Sequence, residues 1–289
     1  MTPEPSRDFA AFLDAWELFR APVIAGTIAG ALVGLLGVYV VLRRMVFLAG
    51  ALSQTAGLGV ALAFFGRIRF GLEGLWGSPT LGAALATTTT ALLLVGRRTQ
   101  QGTQRDSLLG LAWLAGAAGT LIVGTRIVQE VQDIQSILFG SAVVVLDDDL
   151  VRVIGLALPL GLLHVWWQRG FVQAAFDADG ARVRGLPVWL LDVTLIGSIA
   201  LSISLCTRVL GALPVFAFSV LPAMAALRVC PNIERALVVA AAVGAACGAG
   251  GYYLAWRFDL PVGAAQTLLA VVFVAVAALV ERALLRRVG

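Results

Sequence analysis

The chain has 289 residues, of which 60% are hydrophobic and 13% charged, with a mean hydropathy of +0.92. Soluble globular proteins carry about 45–50% apolar and about 25% charged residues, so this composition excludes a soluble fold and indicates a polytopic membrane protein. All 21 basic residues are arginine, and the net charge of +4 comes from arginines flanking apolar runs, which is orientation and lipid-headgroup chemistry rather than a nucleic-acid surface.

Residues 1–20, MTPEPSRDFAAFLDAWELFR, are interrupted by Pro, Glu, Asp and Arg. They lack the short apolar core and small-residue cleavage site of a secretory signal and read as an amphipathic lead-in. A crossing needs about 20 apolar residues. Windows of that kind fall at 21–42, 47–65, 78–95, 108–127, 150–167, 188–205, 209–227, 236–255 and 264–280, so residues 21–289 form one transmembrane domain with no room for a soluble one. The fold class is all-α. The seventh window contains Pro214 and Pro222, which remove backbone donors where lipid cannot replace them. Nine crossings, or eight plus a broken half-helix, are the two readings.

Gly26, Gly30 and Gly34 on the first window, and Gly244 with Gly248 on the eighth, recur every four residues. That spacing lets helix backbones approach closely in lipid, which reads as packing within the chain, with a subunit interface as the alternative. The second window opens RRMVFLAGALSQTAGLGVALAFF, two arginines and then a run whose middle holds Ser53, Gln54 and Thr55. Such a polar cluster lines a hydrated route or bonds to backbone carbonyls. Ser198, Ser202, Ser204 and Thr207 add hydroxyls to the sixth window or its end.

The longest charged break, 168–192, places Asp177 and Asp179 where a short helix starts, and Gly185 with Pro187 where it stops. Asp147, Asp148 and Asp149 precede the fifth window and read as a solvated helix start. His164, the sole histidine, stands beside Trp166 and Trp167 and reads as interfacial. Glu73 has no nearby ligand companion. Cys206, Cys230 and Cys247 show no CxxC spacing, so neither a disulfide framework nor a zinc knuckle is indicated.

With nine crossings, one side collects Arg43, Arg44, Arg97, Arg98, Arg105, Arg169, Arg182, Arg184, Arg228, Arg235, Arg282, Arg286 and Arg287. The other collects Arg7, Arg20, Arg67, Arg69, Arg126, Arg208 and Arg257, with Arg152 near a span start counted in neither. The richer side is cytoplasmic, which puts the C-terminus inside and the N-terminus outside.

Six stretches then resemble one family in register. RRMVFLAGALSQTAGLGVALAFF is similar to the RRMxFxGDxLxHxxLxGVA segment of permease subunits of zinc/manganese-type ABC importers. DSLLGLAW at 106–113 resembles the family's DTxxGI run, DIQSILFGSAV at 133–143 its DLxxYLFGxxL, and FDADGARVRGLPVWLLD at 176–192 its ATPase-contacting loop. RVLGALPVFAFSVLPAMAA at 208–226 resembles [KR]xVGxLLVxxLLxxPAxxA, and DLPVGAAQTLL at 259–269 resembles DxPxGxxIVL.

The resemblance implies a type II ABC importer-like permease in the cell's inner membrane that pairs with a second copy or close paralogue. Its partners would be a cytoplasmic ABC ATPase and an extracytoplasmic substrate-binding protein. ATP and Mg would bind on the ATPase, since this chain has no GxxxxGK[ST] loop, binds no cofactor and catalyses no covalent chemistry. The loop at about 168–187 becomes a coupling segment, with Phe176, Asp177, Arg182 and Gly185 on it.

One departure stands out. The family's Asp and His, four residues apart on one helix face and suited to a passing divalent cation, are replaced by Gly50 and Gln54. The pathway positions are then Gly50, Ser53, Gln54, Thr55 and Ser202, with no metal ligand among them. The expected cargo is a metal ion or metal-related species that crosses without tight coordination, such as a chelate. A non-ligating or inactive half of a heteromeric permease, a transporter of a non-metal substrate, and an ATP-independent carrier or intramembrane enzyme are the alternatives.

Overall fold

The computed structural model describes residues 9–72, 74, 77–95, 102–127 and 147–288, and all regular structure among them is helical. Glu73, Arg97, Arg98 and the 133–143 motif lie outside the described residues, as do residues 1–8 of the lead-in. The helices are α1 (Phe9–Asp14), α2 (Trp16–Leu42), α3 (Val46–Phe70), α4 (Pro79–Val95), α5 (Gly102–Gly124), α6 (Asp147–Trp166), α7 (Gln168–Phe176) and α8 (Ala178–Val183). They continue as α9 (Val188–Leu210), α10 (Ala212–Phe218), α11 (Leu221–Val229), α12 (Ile233–Phe258) and α13 (Val262–Val288).

Helix α2 begins at Trp16, so residues 16–20 of the expected lead-in belong to the first membrane helix. The remainder, α1, folds back on the bundle. Phe12 stacks on Phe19 at 5.4 Å, and both rings meet Trp256 near the end of α12.

Eight stretches are long and apolar enough to cross a membrane, α10 and α11 counting together as Ala212–Val229. Helix α4, at 17 residues, falls just short. It must nonetheless cross, because α3 and α5 run parallel: Gly50 lies against Trp113, Gln54 against Gly116 and Leu58 against Gly119, both numbers rising together. The other directions follow from contacts at the ends. Arg43, just past α2, pairs with Asp192 near the start of α9. Arg208 at the end of α9 pairs with Asp149 at the start of α6. Arg228 on α11 pairs with Glu281 toward the end of α13. Among the described residues these pairings alternate directions consistently through nine passes, and they favour nine over eight plus a half-helix.

The seventh pass is broken, as its prolines suggest, and still spans. The helix stops at Ser219 and Val220 and restarts at Leu221, with Pro222 in the first turn of α11, where a missing N–H leaves no acceptor unsatisfied. The backbone at the break is accommodated by Gly37 of α2: a β-carbon there would lie 2.7 Å from the Ser219 carbonyl oxygen.

The centre of the bundle is the antiparallel pair α2 and α12. Gly26 faces Gly248, Gly30 faces Gly244 and Gly34 faces Ala240, so the glycine recurrences read from the sequence are two halves of one seam. A β-carbon on Gly34 would sit 2.6 Å from the Ala240 carbonyl oxygen, and one on Gly30 would overlap the Gly244 carbonyl. Lipid tails give no hydrophobic drive for helix association, so this backbone-to-backbone approach and its dispersion contacts hold the pair. Gln266 on α13 is fully buried and donates from Nε2 to the Gly248 carbonyl at 3.1 Å, tying a third helix to the seam.

Gly30→Ala is therefore expected to lower the thermal unfolding midpoint of the detergent-solubilised protein, at a cost of about 1–3 kcal/mol, because the neighbour that must move is backbone. Gly197→Ala is the control. A β-carbon there meets nothing within 4 Å, and the change is expected to be neutral or to stabilise by up to about 1 kcal/mol.

Candidate functional site

The polar cluster on α3 resolves into separate roles. The Ser53 hydroxyl donates to the Gly50 carbonyl at 2.9 Å, and the Thr55 hydroxyl to the carbonyls of Ala51 and Leu52 at 2.9 and 3.1 Å. Returning the hydroxyl proton to the preceding turn is how such residues are accommodated in a membrane helix. Gln54 remains half-buried, with its backbone pressed by α5: a β-carbon on Gly116 would lie 2.7 Å from the Gln54 carbonyl carbon.

Gly50 is buried, and the space into which a side chain would project is filled by the indole of Trp113 from α5. A β-carbon at position 50 would be 2.8 Å from Trp113 Cη2 and closer still to Cζ3 and Cε3. The indole also meets Phe216 of α10, edge to face at 4.8 Å and 78°. Sequence reasoning quoted Trp113 within DSLLGLAW and gave it no role. The available signal was the glycine itself, since a residue with no side chain in a packed helix often marks a bulky neighbour.

Thr55 lines an open, largely apolar groove of about 480 Å³ between α3 and α4, which approach at Gly59 and Gly82. Ser202 lies elsewhere. It is buried on α9 beside α2 and the break at Ser219, on a cavity of about 10 Å³. That is room for about one water at most, so Ser202 is not brought together with the α3 positions.

At the end of the bundle where α2 finishes, the segment after α6 forms two short helices. Phe171 and Ala181 are fully buried and fasten them to the bundle, while Phe176 is 65% and Val183 89% exposed. Asp177 caps α8, its side chain accepting from the Gly180 N–H at 2.8 Å. Gly185, at φ +78°, closes it: its N–H reaches the Arg182 carbonyl at 2.9 Å and that of Leu186 reaches Ala181 at 3.0 Å. Both orphan carbonyls are thus satisfied, in the Schellman arrangement. Arg182 pairs with exposed Asp179 at 2.6 Å. The four expected coupling residues are therefore one exposed tip, one N-cap, one solvated ion pair and one obligatory left-handed stop.

This unit is joined to the start of α3 by charge. Arg43, the first arginine of RRM, pairs with Asp192 at the base of α9, the two side chains being only 10% and 14% exposed. His164 corrects the interfacial expectation: it is 1% exposed, stacked on Phe171 at 4.5 Å and 27° and facing Tyr39 at 5.4 Å, while Trp166 points outward at 86% exposure. The opposite end corrects a second one. Asp149 is no solvated helix start but buried, accepting from Arg208 at 3.2 Å and Arg152 at 3.3 Å.

A multi-pass helical bundle that holds a rigidly capped, apolar-tipped helix outside its membrane spans has the design of an ABC-importer permease. The chain belongs to the ABC 3 transport family, which it matches over residues 15–281. It is 28% identical over 267 residues to the manganese transport system membrane protein MntD of Bacillus subtilis, covering 87% of this chain and 88% of that one. It is 25% identical over 263 residues to the chelated iron transport system membrane protein YfeD of Yersinia pestis, covering 91% and 85%. Among solved structures, a chain of PsaBC from Streptococcus pneumoniae in complex with Fab shares the fold, with a TM-score of 0.80 at 21% identity over 93% of this chain and 95% of that one.

Removing Arg43 takes from nearly buried Asp192 the guanidinium it is paired with. Arg43→Ala is expected to cost about 3–5 kcal/mol, whereas the apolar double variant Arg43→Met/Asp192→Leu recovers most of it. Thermal unfolding of the three proteins in detergent checks this, and equal losses in the single and double variants would show that the pair is not the cause.

Proposed function

We propose that this chain is the membrane subunit of an ATP-driven importer for a metal-related cargo. A second copy or close paralogue would complete the pathway, a separate ABC ATPase would bind and hydrolyse ATP with Mg, and an extracytoplasmic binding protein would deliver the cargo. The observation that carries the coupling role is the capped segment 176–186. A six-residue helix cannot hold its shape alone in water, yet α8 is fixed by an N-cap, a Schellman stop and buried Ala181; its Val183, with Phe176 at the end of α7, presents an apolar side chain outward. Exposed apolar tips on a rigid mount suit insertion into a groove on a partner. The Arg43–Asp192 pair, which ties the base of α9 to the corner between α2 and α3, would pass motion of that tip to α3.

The relatives named for manganese and for chelated iron support the metal-related cargo. Gly50 and Gln54 in place of a ligand pair favour a cargo that crosses without coordination by this helix. The same observation favours a second reading, in which this chain is the non-ligating half of a heteromeric permease. A genomic neighbour that is a second permease with Asp and His at the matching positions would select that reading.

The coupling role is tested by Phe176→Glu and Val183→Glu, which place charge on the tip without touching the caps or the core. Copurification with the ATPase and ATP-dependent uptake are each expected to fall by about tenfold or more, corresponding to a loss of at least about 1.4 kcal/mol at the contact. Thermal stability of the isolated chain should be unchanged. Undiminished copurification and uptake in both variants would remove this segment as the coupling element.

A further inference from the structure

We infer that Trp113 sets the specificity of the pathway, closing the α3 position against bare divalent cations and leaving it to cargo that keeps its own ligand shell. This rests on reading α3 as the pathway helix. A side chain at position 50 and the indole at its observed place exclude one another, because a β-carbon would fall within bonding range of the ring. Phe216 stands against it at 4.8 Å, and the register of α5 on α3 is fixed a turn further on, where Gly116 abuts the Gln54 backbone and Gly119 abuts Leu58. The closure is therefore built from three helices, α3, α5 and α10.

What remains polar is insufficient for a bare ion. The oxygens that α3 offers here are neutral ones, the Ser53 and Thr55 hydroxyls, whose protons go to carbonyls of their own helix, and the Gln54 amide, with no carboxylate or imidazole among them. A divalent cation gives up hydration water only against several oxygen or nitrogen ligands, at least some of them charged or imidazole. A chelate has its charge already neutralised and its ligands in place. An aromatic edge and face give it a surface to slide past, with no coordination bond to make or break.

The test is equilibrium binding of Mn²⁺ and of Zn²⁺ to the full-length chain in lipid nanodiscs, followed by calorimetry and by elemental analysis after dialysis. Four proteins are compared: the native chain, Trp113→Ala, Gly50→Asp/Gln54→His, and Gly50→Asp/Gln54→His/Trp113→Ala. Only the triple variant is expected to bind either ion stoichiometrically, with affinity at least about tenfold above the other three. Stoichiometric binding by the native chain would overturn the inference, as would a gain in the double variant equal to that in the triple, or no gain in a monodisperse triple variant. A steric readout covers the case where the triple variant does not fold. Gly50→Ala should lower the unfolding midpoint and Gly50→Ala/Trp113→Leu should restore it, whereas a Gly50→Ala as stable as Gly197→Ala would overturn the inference. Copurification with the ATPase tests the importer reading separately and is indifferent to all of these changes.

Discussion

Everything in this bundle depends on how closely two helix backbones can approach where no water is available to push them together. The α2–α12 seam answers with glycine: Gly26, Gly30 and Gly34 face Gly248, Gly244 and Ala240, with carbonyl oxygens occupying the space that side chains would take. From that seam α13 is tied in by Gln266, and the broken pass α10–α11 is seated against Gly37. A second seam of the same kind, Gly59 against Gly82, brings α4 onto α3. The helices so fixed leave α5, α6 and α13 with mostly exposed faces, only 22%, 17% and 11% of their most apolar windows being buried within the chain.

Among the described residues, charge is confined to the two ends of the bundle, where it joins elements that the glycine seams do not. Arg43 and Asp192 connect the α2–α3 corner to the base of α9 and, through it, to the capped tip. Arg208, Asp149 and Arg152 connect α9 to α6 at the other end, with Thr80 of α4 at 3.4 Å from Arg208. Helix α9 thus carries an ion pair at each end and a small cavity at Ser202 between them. A helix anchored by polar contacts at its ends and by apolar contacts along its length is suited to moving as a rigid rod.

The spans, the broken seventh pass and the capped segment were legible because each is dictated locally: apolar length, proline in place of a donor, and Asp and Gly at the two ends of a short helix. The family resemblance was legible for the same reason, being carried by short runs in order. Partnerships across the chain were not. Asp149 looked like a solvated helix start because nothing near it in sequence reveals Arg208. His164 looked interfacial because of its neighbours Trp166 and Trp167, whereas Tyr39 and Phe171 come from other helices to bury it. Ser202 was grouped with the α3 hydroxyls by residue type alone. What fills the space beside Gly50 could not be read, since Trp113 lies on a different helix and only the parallel register of α3 and α5 brings it there.

The central claim is that this permease carries metal without coordinating it on α3. The most direct measurement is ATP-driven uptake of radiolabelled manganese into proteoliposomes holding the chain with its ATPase and binding protein. The metal is supplied either as the bare ion or already complexed by a small chelator. Saturable uptake of the complex, with no uptake of the bare ion above the ATP-free background, is the expected result. Uptake of the bare ion at a rate equal to or above that of the complex would contradict it.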